Sequence, residues 1–225
     1  MPYWATVLLT ATNLVLGAGA IAAFRAASMR ARMAPRFSGM LMTGAKLARD
    51  LGRLKSGLLV LMTDDERLAD PVAAARRLPK GSIVIVRARD AARRHALADS
   101  LSAETHGLIL LASDDPVLAD RLHGLHLPEK RARDAAHWRA LRPHWVITVA
   151  AHSGSGLRIA HADAALLSPI FPSKSHPKAQ PLTAARARLM ARNALLPVLA
   201  LGGVTARNAP LLKGFAGFAA IGALS

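Results

Sequence analysis

The chain has 225 residues, of which 52% are hydrophobic, 30 are basic and 14 are acidic, so its formal net charge is +16. This apolar content excludes disordered and collagen-like proteins, and a sequence without cysteine excludes thiol catalysis, thiolate metal sites and disulfides. The positive charge is typical of proteins that bind polyanions. The arginines are scattered along the chain, however, which favours solvated positions on helix faces. Because only 4% of the residues are aromatic as well, we expect no nucleic-acid partner.

An uncharged apolar segment from Pro2 to Phe24 opens the sequence, and three basic residues follow it: Arg25, Arg30 and Arg32. The segment is just long enough to cross a bilayer as one helix, in which case the positive-inside rule places the rest of the chain in the cytoplasm. Two other interpretations stay open: a helix packed against the domain, or a misassigned start at Met29, Met33, Met40 or Met42. We therefore expect an N-terminal segment, 1–33, and a cytoplasmic domain, 34–225, with membrane contact only through residues 2–24.

Beyond Leu54, short runs of Val, Leu and Ile alternate with Ala-, Arg- and Leu-rich stretches of helical period, a pattern typical of βα repeats. The sequence predicts eight strands: Gly57 to Met62, Ser82 to Val86, Gly107 to Leu111, Gly124 to Leu127, Trp145 to Val149, Ala164 to Leu167, Pro197 to Leu201 and Phe218 to Ile221. It predicts seven helices: Pro71 to Leu78, Ala91 to Ala103, Pro116 to Leu122, Ala132 to Leu141, Leu157 to Ala162, Leu182 to Ala194 and Ala206 to Leu212. This alternation favours an α/β fold of the closed (β/α)8, or TIM-barrel, type over an open doubly wound sheet.

Charged side chains follow the first three predicted strands: Asp64 and Asp65, then Arg87 and Arg89, then Asp114 and Asp115. In a barrel these positions lie at the carboxyl ends of the strands, where catalytic loops gather. Carboxylates can hold Mg²⁺ while arginines bind outer phosphate oxygens, which is the division of roles that a pyrophosphate site needs. The alternative is that each aspartate pair caps the helix after it, and for any single pair we favour capping.

The later strand ends carry proton-transfer and anion-binding candidates. His152 follows the fifth predicted strand and could transfer protons near neutral pH. The sixth strand leads into a proline-bounded loop, Ser168 to Pro177, whose hydroxyls, lysine and histidine suit an anion. After the seventh strand, Gly202 and Gly203 let the backbone approach a phosphate, although a Gly-Gly pair is also a common turn.

Three segments, LLSPIFPSKSHP, LPVLALGGVTARNAP and GFAAIGAL, resemble the last third of thiamine-phosphate synthases and their relatives, the thiazole tautomerases or TenI-like proteins. Asn208 keeps the family's spacing of five residues after the second Gly. Upstream, GLLVLMTDDERLADP, GLHL and AAHS are similar to the family's first strand and its fourth and fifth strand ends. The resemblance runs from about Leu54 to the end of the sequence and implies the phosphate-binding (β/α)8 barrel.

The resemblance implies a transferase of thiamine biosynthesis that joins hydroxymethylpyrimidine diphosphate to thiazole phosphate with loss of pyrophosphate, assisted by Mg²⁺. Catalysis would consist chiefly of stabilising charge on the departing pyrophosphate. By correspondence with the family, Asp114 would bind the metal, and Arg87 and Arg89, the latter replacing a Lys, would bind pyrophosphate. The remaining substrate contacts implied are those of Ser173, Ser175 and His176 in the strand-6 loop, and of the Gly203 and Ile221 backbones with thiazole phosphate.

The sequence also departs from the family pattern at several strand ends. Arg131 stands where the family has its second acidic metal ligand, so the metal site is depleted. The other replacements are Ile85 for Gln, Ser113 for Asn, and Ala150 and Gly222 for Ser. The sequence ends at Ser225 without an eighth helix, and we expect the segment from Ala5 to Phe24 to fill that place on the barrel wall.

Three functions stay open at this point. The first is a divergent synthase, which we favour. The second is a thiazole tautomerase, in which His152 would be catalytic and no Mg²⁺ would be needed. The third is a non-catalytic binder of thiamine-related phosphates.

Overall fold

The computed structural model describes residues 58–173, 180–205 and 207–221. The predictions for the apolar segment and the division at residue 33, and those for Ser175, His176 and Gly222, lie outside the described residues. Within those three ranges, no helix is long and apolar enough to cross a membrane.

Eight parallel strands close into a barrel in which each strand pairs with the next one along the chain and the last pairs with the first. The strands are β1 Leu58–Met62, β2 Ile83–Val86, β3 Ile109–Ser113, β4 Gly124–Leu127, β5 Val146–Ala151, β6 Ala164–Leu167, β7 Val198–Leu201 and β8 Gly217–Ala220. The predicted (β/α)8 barrel is confirmed.

Both faces of the barrel wall are buried, which explains why the strands are continuous apolar runs. Side chains alternate along each strand, so Val60 and Met62 point into the barrel while Leu59 and Leu61 belong to the outer layer under the helices. The inner layer is filled by branched side chains such as Ile83, Ile85, Leu111, Leu166 and Leu199. The barrel is therefore a packed core rather than a pore.

Five α-helices cover the described wall: α1 Pro71–Arg76, α2 Ala91–Glu104, α3 Pro116–Ala119, α4 Ala135–Leu141 and α5 Ala184–Arg192. Four of them begin at a side chain that accepts a hydrogen bond from the backbone three residues on: Asp70, Asp90, Asp115 and Thr183. A 3-10 helix, Glu129–Asp134, leads into α4.

Two predicted helices are wrong. In place of Leu157 to Ala162 the chain forms a 3-10 helix, Gly156–Arg158, and His161 then adopts a positive φ of 71°, which no helix accommodates. In place of the predicted helix that reaches Leu212, the chain forms the 3-10 helix Ala209–Leu211, which has a proline in its first turn. The third strand also ends two residues later than the sequence predicts, because Ala112 and Ser113 continue the ladder with β4.

Candidate functional site

The carboxyl ends of all eight strands meet at one end of the barrel, because the strands are parallel and paired in sequence order. The loops that follow them form one rim, called the C-terminal rim: residues 63–66, 87–90, 114–115, 128–134, 152–155, 168–173, 202–205 and 221. The predicted site residues within the described part of the chain all lie on this rim.

Arg87 is held at the rim by the loop after β1. Its Nη2 donates to Asp64 Oδ2 at 2.6 Å, and its backbone is tied to Thr63, whose Oγ1 donates to Arg87 O at 2.7 Å. The Asp64 side chain is only 7% exposed and its other oxygen accepts from the Glu66 and Arg67 amides, whereas the Arg87 side chain is 45% exposed. Asp64 therefore fixes the guanidinium while leaving it accessible to a ligand.

Arg89 lies beside Arg87 but at a more open position. Its side chain, 76% exposed, pairs with Glu66, and its backbone amide donates to Asp65 Oδ2 at 2.8 Å. Residues 64–67 and 87–89 together line a cleft of about 280 Å³. The two arginines predicted to bind pyrophosphate thus share one cleft.

The predicted metal ligand Asp114 is joined to Arg131, which lies in the loop after the neighbouring strand β4. Arg131 Nη1 donates to Asp114 Oδ1 at 2.9 Å, and Arg131 Nε donates to Asp134 Oδ2 at 2.9 Å. Asp114 itself sits at a positive φ of 52°, and its amide donates to His126 O at 2.8 Å. A guanidinium therefore occupies the position next to the carboxylate at which a cation would bind.

The second aspartate of the pair, Asp115, has the role that the capping alternative assigns to it. Its Oδ1 accepts from Leu118 N at 3.0 Å, and its Oδ2 accepts from Arg94 Nη2 at 2.9 Å and lies 3.2 Å from His95 Nε2. Burial, the largest single influence, would raise the pKa of Asp115, but the Leu118 amide, Arg94 and His95 together hold it below its ordinary value. Asp115 thus caps α3 and faces away from rim chemistry.

His126, on β4, is a buried polar residue to which the sequence assigns no role. Its Nδ1 lies 2.9 Å from Thr148 Oγ1 on β5, inside the barrel. Burial, and then the nearby positive charge of Arg87, lower the pKa of His126 to about 4, so the ring is neutral at physiological pH. The signal available in the sequence was a histidine within the buried run GLHL, at an inward position of the strand.

His152 lies on the rim after β5 with a defined tautomer. Its Nδ1 is 2.9 Å from Ser168 O, and because a carbonyl oxygen only accepts, Nδ1 carries the proton in the neutral ring. The Nε2 atom, which has no hydrogen-bond partner among the described residues, is then the proton-accepting nitrogen of an exposed side chain. This is the arrangement that a general base on the rim requires.

The loop after β7 is fitted closely against the loop after β6. Gly203 has a φ of +64°, and a Cβ there would lie 2.4 Å from Pro172 O. Asn208 Nδ2 donates to Gly203 O at 2.8 Å, and Asn208 Oδ1 accepts from the Thr205 amide at 2.7 Å. The spacing between the second Gly and Asn208 thus has a physical reason, since the asparagine holds the turn in shape.

The remaining predicted contacts flank this turn. Ser173 lies in the loop after β6, as the last residue of that loop before the gap in the described chain, and its side chain is partly buried. Ile221 follows β8, which pairs with β7 up to Leu201 and Ala219, so Ile221 and Gly203 lie after neighbouring strands. In the described part of the chain, the rim therefore has an arginine-lined side and a glycine-lined side.

No group of three or more His, Asp or Glu side chains that could hold a metal ion occurs in the ranges that the structure describes. At the predicted position, the oxygen ligands are the Asp114 carboxylate, already bonded to Arg131, and Asp134, bonded to the same guanidinium. Hard divalent cations need several free oxygen ligands. The donor set at Asp114 does not fit a Mg²⁺ site.

A family model and two sequence relatives indicate the same family. Residues 59–224 match the family model described as thiamine monophosphate synthase. The chain is 36% identical over 94 residues to a putative thiamine-phosphate synthase 2 of Aquifex aeolicus, covering 40% of this chain and 50% of that protein. It is 34% identical over 166 residues to a thiamine-phosphate synthase of Thiobacillus denitrificans, covering 66% of this chain and 75% of that protein.

A solved structure, thiamine phosphate pyrophosphorylase from Pyrococcus furiosus, superposes with a TM-score of 0.60 at 19% identity, over 73% of this chain and 85% of that one. At that identity the likeness establishes the barrel fold. The chain spans about half the length of the Aquifex relative.

Proposed function

Because the chain belongs to the thiamine monophosphate synthase family, we propose that it joins hydroxymethylpyrimidine diphosphate to thiazole phosphate and releases pyrophosphate. Membership supports a role in thiamine biosynthesis and the transferase class. The substrates that follow are small phosphorylated pyrimidines and thiazoles.

The observation that carries the proposal is the oriented guanidinium of Arg87. Asp64 and Thr63 fix it at the rim, while 45% of its side chain stays exposed to a ligand. An arginine held on one side by a buried carboxylate and open on the other is pre-organised to bind phosphate oxygens. Arg89 lies in the same cleft and would bind the outer oxygens.

In the proposed reaction, the bond between the pyrimidine methylene carbon and the diphosphate oxygen breaks, and its electron pair leaves with the diphosphate. The thiazole nitrogen then donates its lone pair to the methylene carbon and forms the new C–N bond. Negative charge grows on the departing oxygen, so Arg87 and Arg89 act by neutralising it. On the opposite side of the rim, the Gly203 and Ile221 backbones and Ser173 would hold the thiazole phosphate.

Family resemblance implies Mg²⁺ in this reaction, with Asp114 as its ligand. The ion pair between Asp114 and Arg131 uses the carboxylate oxygen Oδ1 and places a positive charge beside the position of a cation. In the proposed reaction no step therefore passes through a metal, and the protein's own cations neutralise the leaving group.

The thiazole tautomerase function remains the second candidate, and one observation favours it. His152 Nδ1 donates to Ser168 O, which leaves Nε2 free to accept a proton from a substrate at the rim. A tautomerase needs this base and no diphosphate site. A binder without catalytic activity would retain the Gly203 turn and use neither group.

The experiment supplies both substrates to the full chain, with Mg²⁺ present, and follows thiamine phosphate by mass spectrometry. We expect product, and we expect Arg87→Gln to lower kcat/KM by about a hundredfold because a transition-state charge contact is lost. Arg188→Gln, the same change on an exposed face of α5, serves as the matched control and should leave the rate unchanged.

The same samples distinguish the other candidates. No thiamine phosphate, together with thiazole isomerisation that His152→Gln abolishes, would reject the synthase and establish the tautomerase. Binding of thiazole phosphate without either reaction would leave the non-catalytic binder.

A further inference from the structure

At the ends of β3 and β4, the side chains of this protein do not form the metal site that its family resemblance implies. Asp114, Arg131 and Asp134 form a connected group there. Arg131 uses Nη1 for Asp114 and Nε for Asp134, each at 2.9 Å. Within the described residues its Nη2 has no hydrogen-bond partner, so two N–H groups remain available on a side chain that is 38% exposed.

Two carboxylates that grip opposite edges of one guanidinium fix its plane and direction. This fixation lowers the entropy lost when Nη2 binds a ligand, and the two N–H groups of Nη2 can donate to phosphate oxygens. The segment that carries Arg131, Glu129–Asp134, contains three basic and two acidic residues, and Asp114 offsets the remaining positive charge, so an anion would be bound by the oriented N–H donors of Arg131 rather than by net charge. An anion is the ligand that such an edge would take.

The group lies on the same side of the rim as Arg87. Arg87 follows β2, Asp114 follows β3 and Arg131 follows β4, which are consecutive strands of the barrel. One residue connects them: the charge of Arg87 acts on the His126 ring, and the His126 carbonyl accepts from the Asp114 amide. Arg87 and Arg131 therefore follow strands β2 and β4, which flank β3 on the same part of the rim.

We propose that Arg131 takes the place of the divalent cation, so that the pyrophosphate group is bound by Arg87 and Arg131 together without a metal. This inference rests on the proposed function, because it names the group that neutralises the same leaving group. It predicts a specificity of the rim for diphosphates that does not depend on divalent cations.

The test measures binding of inorganic pyrophosphate to the full chain by calorimetry, in EDTA and in excess Mg²⁺. We expect a dissociation constant in EDTA within about twofold of that in Mg²⁺, and a weakening of about tenfold or more in Arg131→Gln, because a hydrogen bond from a charged donor is lost. Arg133→Gln is the matched control, because it is exposed in the same 3-10 helix and has no ion pair among the described residues.

Two further variants keep the test decisive. Arg131→Lys retains the charge without the fork and should bind pyrophosphate more weakly than the native chain but more tightly than Arg131→Gln. Arg131→Glu would place a carboxylate beside Asp114, and we expect it to bind Mn²⁺ in electron paramagnetic resonance titrations where the native chain does not. Circular dichroism confirms that each variant is folded.

Pyrophosphate binding that requires Mg²⁺, or that survives Arg131→Gln unchanged, would overturn the inference. A metal-dependent synthase activity unaffected by Arg131→Gln would do so while leaving the proposed function intact. Conversely, EDTA-resistant, Arg131-dependent binding without any thiamine phosphate would support the inference about the site and reject the proposed reaction.

Discussion

Arg87 interacts with two neighbours. Its guanidinium donates a hydrogen bond to Asp64, and its charge lowers the pKa of His126. Burial is the larger cause of that lowering and the Arg87 charge the smaller. We predict that Arg87→Gln raises the pKa of His126, because a positive charge that disfavours imidazolium is removed. The measurement is an NMR titration of the His126 ring, with native midpoint about 4. Arg89→Gln is the control, and a shift of the same size there would contradict the assignment to Arg87.

The depressed pKa of His126 also sets the direction of a stability change with pH. The folded value of about 4 lies below the ordinary 6.5, so protons bind preferentially to the unfolded chain between these values. The His126 ring therefore leaves the free energy of unfolding unchanged above pH 6.5 and lowers it increasingly as the pH falls towards 4. A His126→Gln variant should lose less stability than the native chain over this window, measured by urea unfolding at a series of pH values.

Gly203 combines two constraints, of which Gly214 has only one and Gly154 has neither. It has a positive φ and a backbone oxygen 2.4 Å from where a Cβ would stand, whereas Gly214 has a φ of +98° with nothing within 4 Å, and Gly154 has neither constraint. We predict that Gly203→Ala lowers the free energy of unfolding by about 3 kcal/mol and Gly214→Ala by about 1 kcal/mol, and that Gly154→Ala changes it little. Urea unfolding checks the series, and equal effects at 203 and 214 would mean that the Pro172 contact yields easily.

At the level of elements, α3 depends on a single side chain. Asp115 caps this four-residue helix and binds Arg94 from α2, so it joins two helices and the rim loop. A helix so short has little stability of its own, and its position depends on such contacts. Removing the charge while keeping the cap is possible because asparagine also caps helices.

We therefore predict that Asp115→Asn costs about 2 kcal/mol of stability at pH 7, because Arg94 loses a buried partner. The folded pKa of Asp115 is below 3.8, so the stabilisation is fully present above that value and is lost as pH falls through the folded pKa. The difference between native and variant chains should accordingly shrink in urea unfolding below pH 3.8. Asp99→Asn, in an exposed ion pair with Arg121, is the control and should change little at either pH.

For the molecule as a whole, stability depends on the seam between β1 and β8, which brings together the two ends of the described chain. Gly217 allows this contact, since a Cβ there would lie 2.1 Å from Leu58 O. We predict that Gly217→Ala lowers stability by about 3 kcal/mol and that the loss is felt across the barrel. A closed sheet has no edge at which partial unfolding can stop.

The readout is tryptophan fluorescence on the far side of the ring. Trp138 and Trp145 stack with centroids 5.7 Å apart near the start of β5, and a Trp4→Phe background leaves them as the reporters. Their urea midpoint in Gly217→Ala should fall as far as the midpoint seen by circular dichroism. A fluorescence midpoint that stayed at the native value would show that the seam opens independently.

The architecture could be predicted because its signal is local and repeated. The run Ala164 to Leu167 is apolar on both faces, and this strand and the strand Gly124 to Leu127 begin and end at the predicted residues. The end of β3 could not be placed, because Ser113 is polar and joins the ladder only through its partner His126. Alanine-rich composition likewise overstated the helices near residues 157 and 209, where tertiary contacts decide the backbone.

The sequence could predict which residues lie at the rim, but it could not predict which side chains bond to one another there. Position after a strand was enough to select Arg87, Asp114 and His152 as rim residues. The partners of these side chains depend on loops from neighbouring strands, so no local pattern indicates that Arg131 reaches back to Asp114. The roles proposed for these residues stay predictions until substrates are tested.

The close fit between the loops after β6 and β7 has a dynamic consequence. Ile170 and Phe171 donate their amides to the Leu201 and Gly202 carbonyls, and the Gly203 turn leaves no room for a side chain between the two loops. Segments tied in this way fluctuate together, so a phosphate that orders one of them orders both. Binding then restricts one coupled unit instead of two independent loops, so less conformational entropy is lost. A ligand that touches only one loop therefore benefits from the rigidity of the other.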